Sequence, residues 1–133
     1  MPKILVHPET YIHREDFKNA KGNAECVEFI RQTLNAPHTS LWREGLKIRR
    51  LAVGEYDPVA HGTAIATFVA GRYPQEGDTG KHAAIYLGQD GIGLQVVDQW
   101  RNRAGGVDRH TIRWEPMRLG LSNDGHAFSV IEW

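Results

Sequence analysis

The chain has 133 residues, with 16 Lys+Arg balanced by 16 Asp+Glu and a single cysteine. That length suits one domain that buries its own core, and 41% hydrophobic with 24% charged residues excludes a disordered or fibrous chain. Formal neutrality without a sustained Lys/Arg run argues against nucleic acid as a partner, and one cysteine cannot form an internal disulfide.

Residues 1–22 read as an N-terminal arm, with Tyr11, Ile12 and Phe17 scattered among polar residues and no regular period. The apolar run Ile4-Leu5-Val6 is too short for the core of a signal peptide, and no later stretch could span a bilayer. The expectation is synthesis in the cytoplasm without a signal peptide, and no membrane partner. A helix is predicted over 24–34, with Asn23 as N-cap, Glu25 in the first turn and Val27, Ile30 and Leu34 on one face. Pro37 ends it, and His38 through Gly45 reads as a short polar linker.

Ala64–Val69, small and β-branched, predicts a buried strand. Gly71, Pro74, Gly77, Asp78 and Gly80 then crowd one loop, and His82–Leu87 reads as the next strand. A hairpin turn over 88–91 leads into a third strand, Ile92–Trp100. Two further strands are predicted over 108–114, where His110, Ile112 and Trp114 alternate with Arg109, Thr111 and Arg113, and over 127–133. The expected fold class is α+β: one early helix and a meander of antiparallel strands in a single domain.

Three residues in this layout carry chemistry. Cys26 is expected at the third helical position, where unpaired backbone N–H groups favour a thiolate; the plainer reading is a thiol filling the core. His82 opens an apolar strand directly after the glycine-rich loop, a place where a rigid element holds an imidazole at the rim of a cleft. The other histidines (His7, His13, His38, His61, His110 and His126) read as surface. Asp98 lies late on the strand that folds back against His82, so it can orient the imidazole. Gln99 is the rival, since the opposite strand parity would turn its amide inward instead.

Trp42, Tyr56, Tyr73 and Trp100 either line a substrate groove or cap a small core; Trp42, Tyr56, Gln99 and Trp100 are the expected substrate contacts. Arg43, Arg101 and Arg109 are available to hold substrate carboxylates, or are solvated surface. No ligand spacing for a metal and no phosphate loop is present, so no metal and no cofactor is expected.

The segments Asn23-Ala24-Glu25-Cys26, Gly80-Lys81-His82-Ala83-Ala84-Ile85-Tyr86-Leu87-Gly88 and Val97-Asp98-Gln99-Trp100 together resemble the NlpC/CHAP cysteine peptidases. The resemblance covers roughly residues 22–100 and lies in the order of cysteine, histidine and third polar residue. It implies a papain-like fold, an N-terminal helix packed on an antiparallel sheet, and a Cys26–His82–Asp98 triad working through an acyl-enzyme. It further implies a hydrolase cutting amide bonds of bacterial peptidoglycan stem peptides, like the small signal-less amidases that type VI secretion delivers into rival cells. A cognate immunity protein and a monomeric state belong to the same expectation. The chain departs from that pattern in lacking Gly-Asp before the strand preceding the histidine, and in using Asp98 where His, Glu or Asn is usual. An acyltransferase on the same scaffold and a catalytically silent peptide-binding module are the alternatives.

Overall fold

The run Ala83-Ala84-Ile85-Tyr86 is buried throughout, as a continuous apolar segment must be when both faces of its strand are covered. In the computed structural model, which describes residues 1–77 and 79–133, it begins an interior strand, Ala83–Gln89. Asp78, one residue of the expected glycine-rich loop, lies outside the described residues. The strands are β1 (Arg43–Lys47), β2 (Ala64–Thr67), β3 (Ala83–Gln89), β4 (Gly93–Asp98), β5 (Asp108–Arg113) and β6 (Phe128–Glu132), and the helix α1 is Cys26–Leu34. The strands form one antiparallel sheet in the order β1-β6-β2-β3-β4-β5.

Alternation along the strands divides the core into two layers. Ala64, Ala66, Ala83, Ile85 and Val97 face Phe29 and Ile30 of α1, and the small alanines let the helix approach β3, against which it packs. Ile65, Ala84, Tyr86, Leu94, Val96 and Ile112 form the other layer with Phe128 and Trp114. The N-terminal arm is not loose: Tyr11 and Phe17 close on Phe29, with ring centroids 5.4–5.8 Å apart.

The α+β class stands, and four local expectations are corrected. Arg43–Lys47 is a strand rather than a linker; it pairs with β6 at the sheet edge and is mostly exposed, so it shows no apolar alternation. The sheet is not a plain meander, because β6 inserts between β1 and β2. The helix starts later than predicted. Asn23 is spent closing a loop with Asn19, its N–H donating to Asn19 Oδ1 at 3.0 Å and its carbonyl accepting from the Asn19 N–H at 2.9 Å. Glu25, in extended conformation with no side-chain cap, is the N-cap, and Cys26 is the first helical residue rather than the third.

The hairpin turn lies at 90–92 instead of 88–91, because Asp90 Oδ1 accepts from the N–H groups of Ile92 and Gly93. At the helix end the prediction holds: Asn35 caps α1 in the left-handed region at φ 52°, two residues before Pro37. Among the described residues, no helix is long and apolar enough to cross a membrane.

Candidate active site

Local sequence brings each functional side chain to one end of the sheet. His82 immediately precedes β3 and is locked to the last residue of β2: its N–H donates to Thr67 Oγ1 at 3.1 Å, and its carbonyl accepts from the Thr67 N–H at 3.0 Å. In the β3/β4 register Ile85 faces Val97, so stepping three residues along each strand sets His82 opposite Trp100, with Asp98 on the same face. The fully buried Asp98 carboxylate accepts from His82 Nε2–H at 2.7 Å. A carboxylate only accepts, which fixes the proton on Nε2 and leaves Nδ1 for the side of the ring that serves Cys26.

Cys26 is half-buried at the first position of α1, where the first turn leaves N–H groups without helical acceptors. Burial pushes its thiol pKa up, but the facing His82 imidazolium, a hydrogen bond from that ring, the Ala83 N–H and the Tyr73 hydroxyl together bring it below the ordinary thiol range. Burial would likewise neutralise His82, yet the Cys26 thiolate and Asp98 raise it to about 10. The two shifts describe one thiolate–imidazolium ion pair. For Asp98, burial is outweighed by hydrogen bonds from His110 and His82, which hold the carboxyl well below the usual range.

Two residues of this site, His110 and Arg103, were not assigned to it from sequence, and Tyr73 was weighed only as a groove or core aromatic. His110 Nδ1–H donates to the same Asp98 oxygen at 2.8 Å, and Arg103 donates to the other carboxylate oxygen at 2.8 Å. Arg103 also bonds the carbonyls of Asp98 and Arg109 and lies over the Trp100 ring, 3.8 Å from its centroid. Tyr73, buried, places its hydroxyl 3.8 Å from Cys26 Sγ. Its own pKa is raised by burial and by the Cys26 charge, so the hydroxyl keeps its proton and donates to sulfur. His110 had a signal in sequence: it shares strand parity with the inward-facing Ile112 and Trp114. Tyr73 stood among the groove candidates as a loop aromatic, but nothing in the sequence placed its hydroxyl beside Cys26.

The expected substrate contacts separate. Trp100 lines the cleft beside Cys26 and His82. Trp42 is fully buried, packed 5.2 Å from the Tyr73 ring with its indole N–H on the Pro37 carbonyl, so it is core and not groove. Tyr56 is exposed and lines neither lobe of the cleft around His82. Gln99, buried on the opposite parity from Asp98, donates to the carbonyls of Phe17 and Glu25 at 2.8 Å each; it ties the arm to the start of α1. Arg101 lines the Cys26 cleft and pairs with Glu25 at 3.8 Å.

His82, Asp98 and His110 bring ligand atoms within 4.8 Å of one another. Both rings, however, spend a proton-bearing nitrogen on Asp98 Oδ2, and Arg103 occupies Oδ1. These donors suit a carboxylate held by hydrogen bonds better than a shell around a cation, beside which the guanidinium would be repelled.

A thiol, an imidazole and a carboxylate so ordered are equipped for attack by sulfur with proton transfer through the ring. Residues 8–131 match the family described as domesticated amidase effector 2 (Dae2), and the chain belongs to that family. It is 30% identical, over 99% of its own length and the whole of the relative, to the type VI secretion amidase effector 2 protein of Salmonella typhi. The solved structure of type 6 secretion amidase effector 2 (Tae2) superposes with a TM-score of 0.78 at 30% identity, covering 97% of this chain and 93% of that one.

Proposed function

We propose that this chain is a cysteine amidase on a papain-like scaffold, which hydrolyses an amide bond in the peptides of bacterial peptidoglycan and acts as a type VI secretion effector. The observation that carries the reading is the Cys26 thiol at the start of α1 paired with an imidazole whose far nitrogen is held by Asp98.

The chemistry follows from the protonation states. The Cys26 thiolate attacks the amide carbonyl carbon, and the unpaired N–H groups of the first turn of α1 face the developing oxyanion. His82 Nδ1–H gives its proton to the leaving amine as the C–N bond breaks, leaving a thioester on Cys26. A water then enters, His82 takes its proton, and collapse of the second tetrahedral intermediate releases the acid and restores the ion pair. Asp98 keeps the ring in place and stabilises the imidazolium. The substrate lies along the cleft of about 530 Å³ that Trp100 and Tyr73 flank.

Purified protein incubated with defined muropeptides, and the products read by mass, tests this. Wild type is expected to add one water across a peptide amide, and Cys26→Ala to give no product while melting like wild type. Digestion by Cys26→Ala at the wild-type rate would overturn the assignment. Transfer of the acyl group to an added amine in place of water would show an acyltransferase instead.

A further inference from the structure

The cleft does not end at His82. A second lobe of about 590 Å³ lies on the far side of that residue and shares Lys81, His82 and Trp100 with the Cys26 lobe, so one extended ligand can occupy both. The two lobes differ in charge. On the Cys26 side, Arg101 is offset by Glu25 at 3.8 Å, and both line the lobe. On the far side Arg113, Arg118 and the shared Lys81 line the wall with His110, and among the described residues no acidic side chain does. Among the described residues, none of those three cations forms an ion pair.

Like charges gathered around one concavity repel one another unless an anion sits among them, and arginine binds a carboxylate with two parallel hydrogen bonds. Asp98, beneath His82 and His110, is fully buried and already taken by His82, His110 and Arg103, so it does not neutralise them. Thr111, Ser122 and Asn123 add neutral hydrogen-bonding groups, and Ile112 and Met117 add apolar wall.

We infer that this lobe is a carboxylate subsite: it takes an acidic residue of the peptide whose scissile amide lies over Cys26, with Arg113 and Arg118 as the residues that set the preference. The inference rests on the amidase reading for its substrate, but binding tests it separately from turnover. Stem peptides with free side-chain carboxylates, and the same peptides with those groups converted to carboxamides, are titrated by calorimetry into Cys26→Ala protein. The carboxylate form is expected to bind about tenfold more tightly, as suits charge-assisted hydrogen bonds that partly desolvate.

That ratio is expected to fall to about one in the Arg113→Gln/Arg118→Gln double variant and to survive in Lys47→Gln, which loses a charge at the opposite edge of the sheet. Both arginines are exposed, so the double variant keeps the core. Equal affinity for the two forms, no binding of either, or a ratio unchanged in the double variant would overturn the subsite. Failure of the amidase reading would look different: discrimination by Cys26→Ala with no product from wild type.

Discussion

Cys26 and His82 share a proton, and the direction of each shift sets the pH behaviour of the pair. The Cys26 pKa is lowered, against its burial, chiefly by His82, so the thiolate forms at a lower pH than in a free thiol and is lost as pH falls through that depressed value. The His82 pKa is raised to about 10, so the imidazolium persists through neutral pH and is lost only as pH rises through about 10. The ion pair exists between those limits. kcat/KM on a muropeptide is therefore expected to be bell-shaped, with its acid limb below the ordinary thiol range and its alkaline limb near the His82 value. In His82→Ala the burial of Cys26 is no longer opposed by a cation, so the acid limb of iodoacetamide labelling should move upward, to or above the ordinary thiol value of about 8.5. An acid limb unmoved by that substitution would mean that His82 does not set the reactivity of Cys26.

One step up, the elements hold these side chains through contacts that neighbouring residues divide between them. Asp98 and Gln99 are adjacent and face opposite ways: the first reaches His82, and the second holds the Phe17 and Glu25 carbonyls, the latter belonging to the residue before Cys26. Gln99 is thus a positioning residue for the start of α1. Gln99→Leu keeps the volume and removes both bonds, leaving the Phe17 and Glu25 carbonyls without their side-chain donor. A loss of about 1–3 kcal/mol in urea unfolding is expected, with kcat reduced more than KM is changed, because the nucleophile and not the groove is loosened. Wild-type kcat in a destabilised variant would confine Gln99 to a structural role. The same pair shows what sequence can reveal. Strand period and antiparallel pairing narrowed the third residue to 98 or 99, since both lie at the right place on the hairpin, but which parity faces His82 depends on where the turn closes. That turn closes at Asp90, two residues later than the glycines suggested. β1 was illegible for another reason: an exposed edge strand needs no apolar alternation, and its pairing with β6 joins residues nearly ninety apart, as Arg43 with Glu132 shows.

At the scale of the whole molecule, the site and the sheet are one object, because β3, β4 and β5 lie side by side, and His82 just before β3, Asp98 on β4 and His110 on β5 share a face. Whatever separates β4 from β5 must therefore weaken both the fold and the clamp on Asp98. Gly93 offers the cleanest probe. It pairs directly with Arg113, and a Cβ added there would fall against the Ile112 carbonyl oxygen and 2.8 Å from Arg113 Cα, all of it backbone that cannot swing aside. Gly93→Ala must push β5 away from β4 at one end of their ladder, while Asp98 and Asp108 pair at the other. The expected loss is about 1–3 kcal/mol, in the range of overpacked core sites, and in protein that remains folded the iodoacetamide reactivity of Cys26 at neutral pH should drop as His82 loses a firmly held Asp98. Gly91→Ala, two residues away with nothing within 4 Å of the new methyl, should stay within about 0.5 kcal/mol of wild type and keep full reactivity. If the Gly93 variant melted with the Gly91 variant, the β4/β5 register would be wrong; if it were destabilised yet labelled at the wild-type rate, the clamp on Asp98 would not depend on β5.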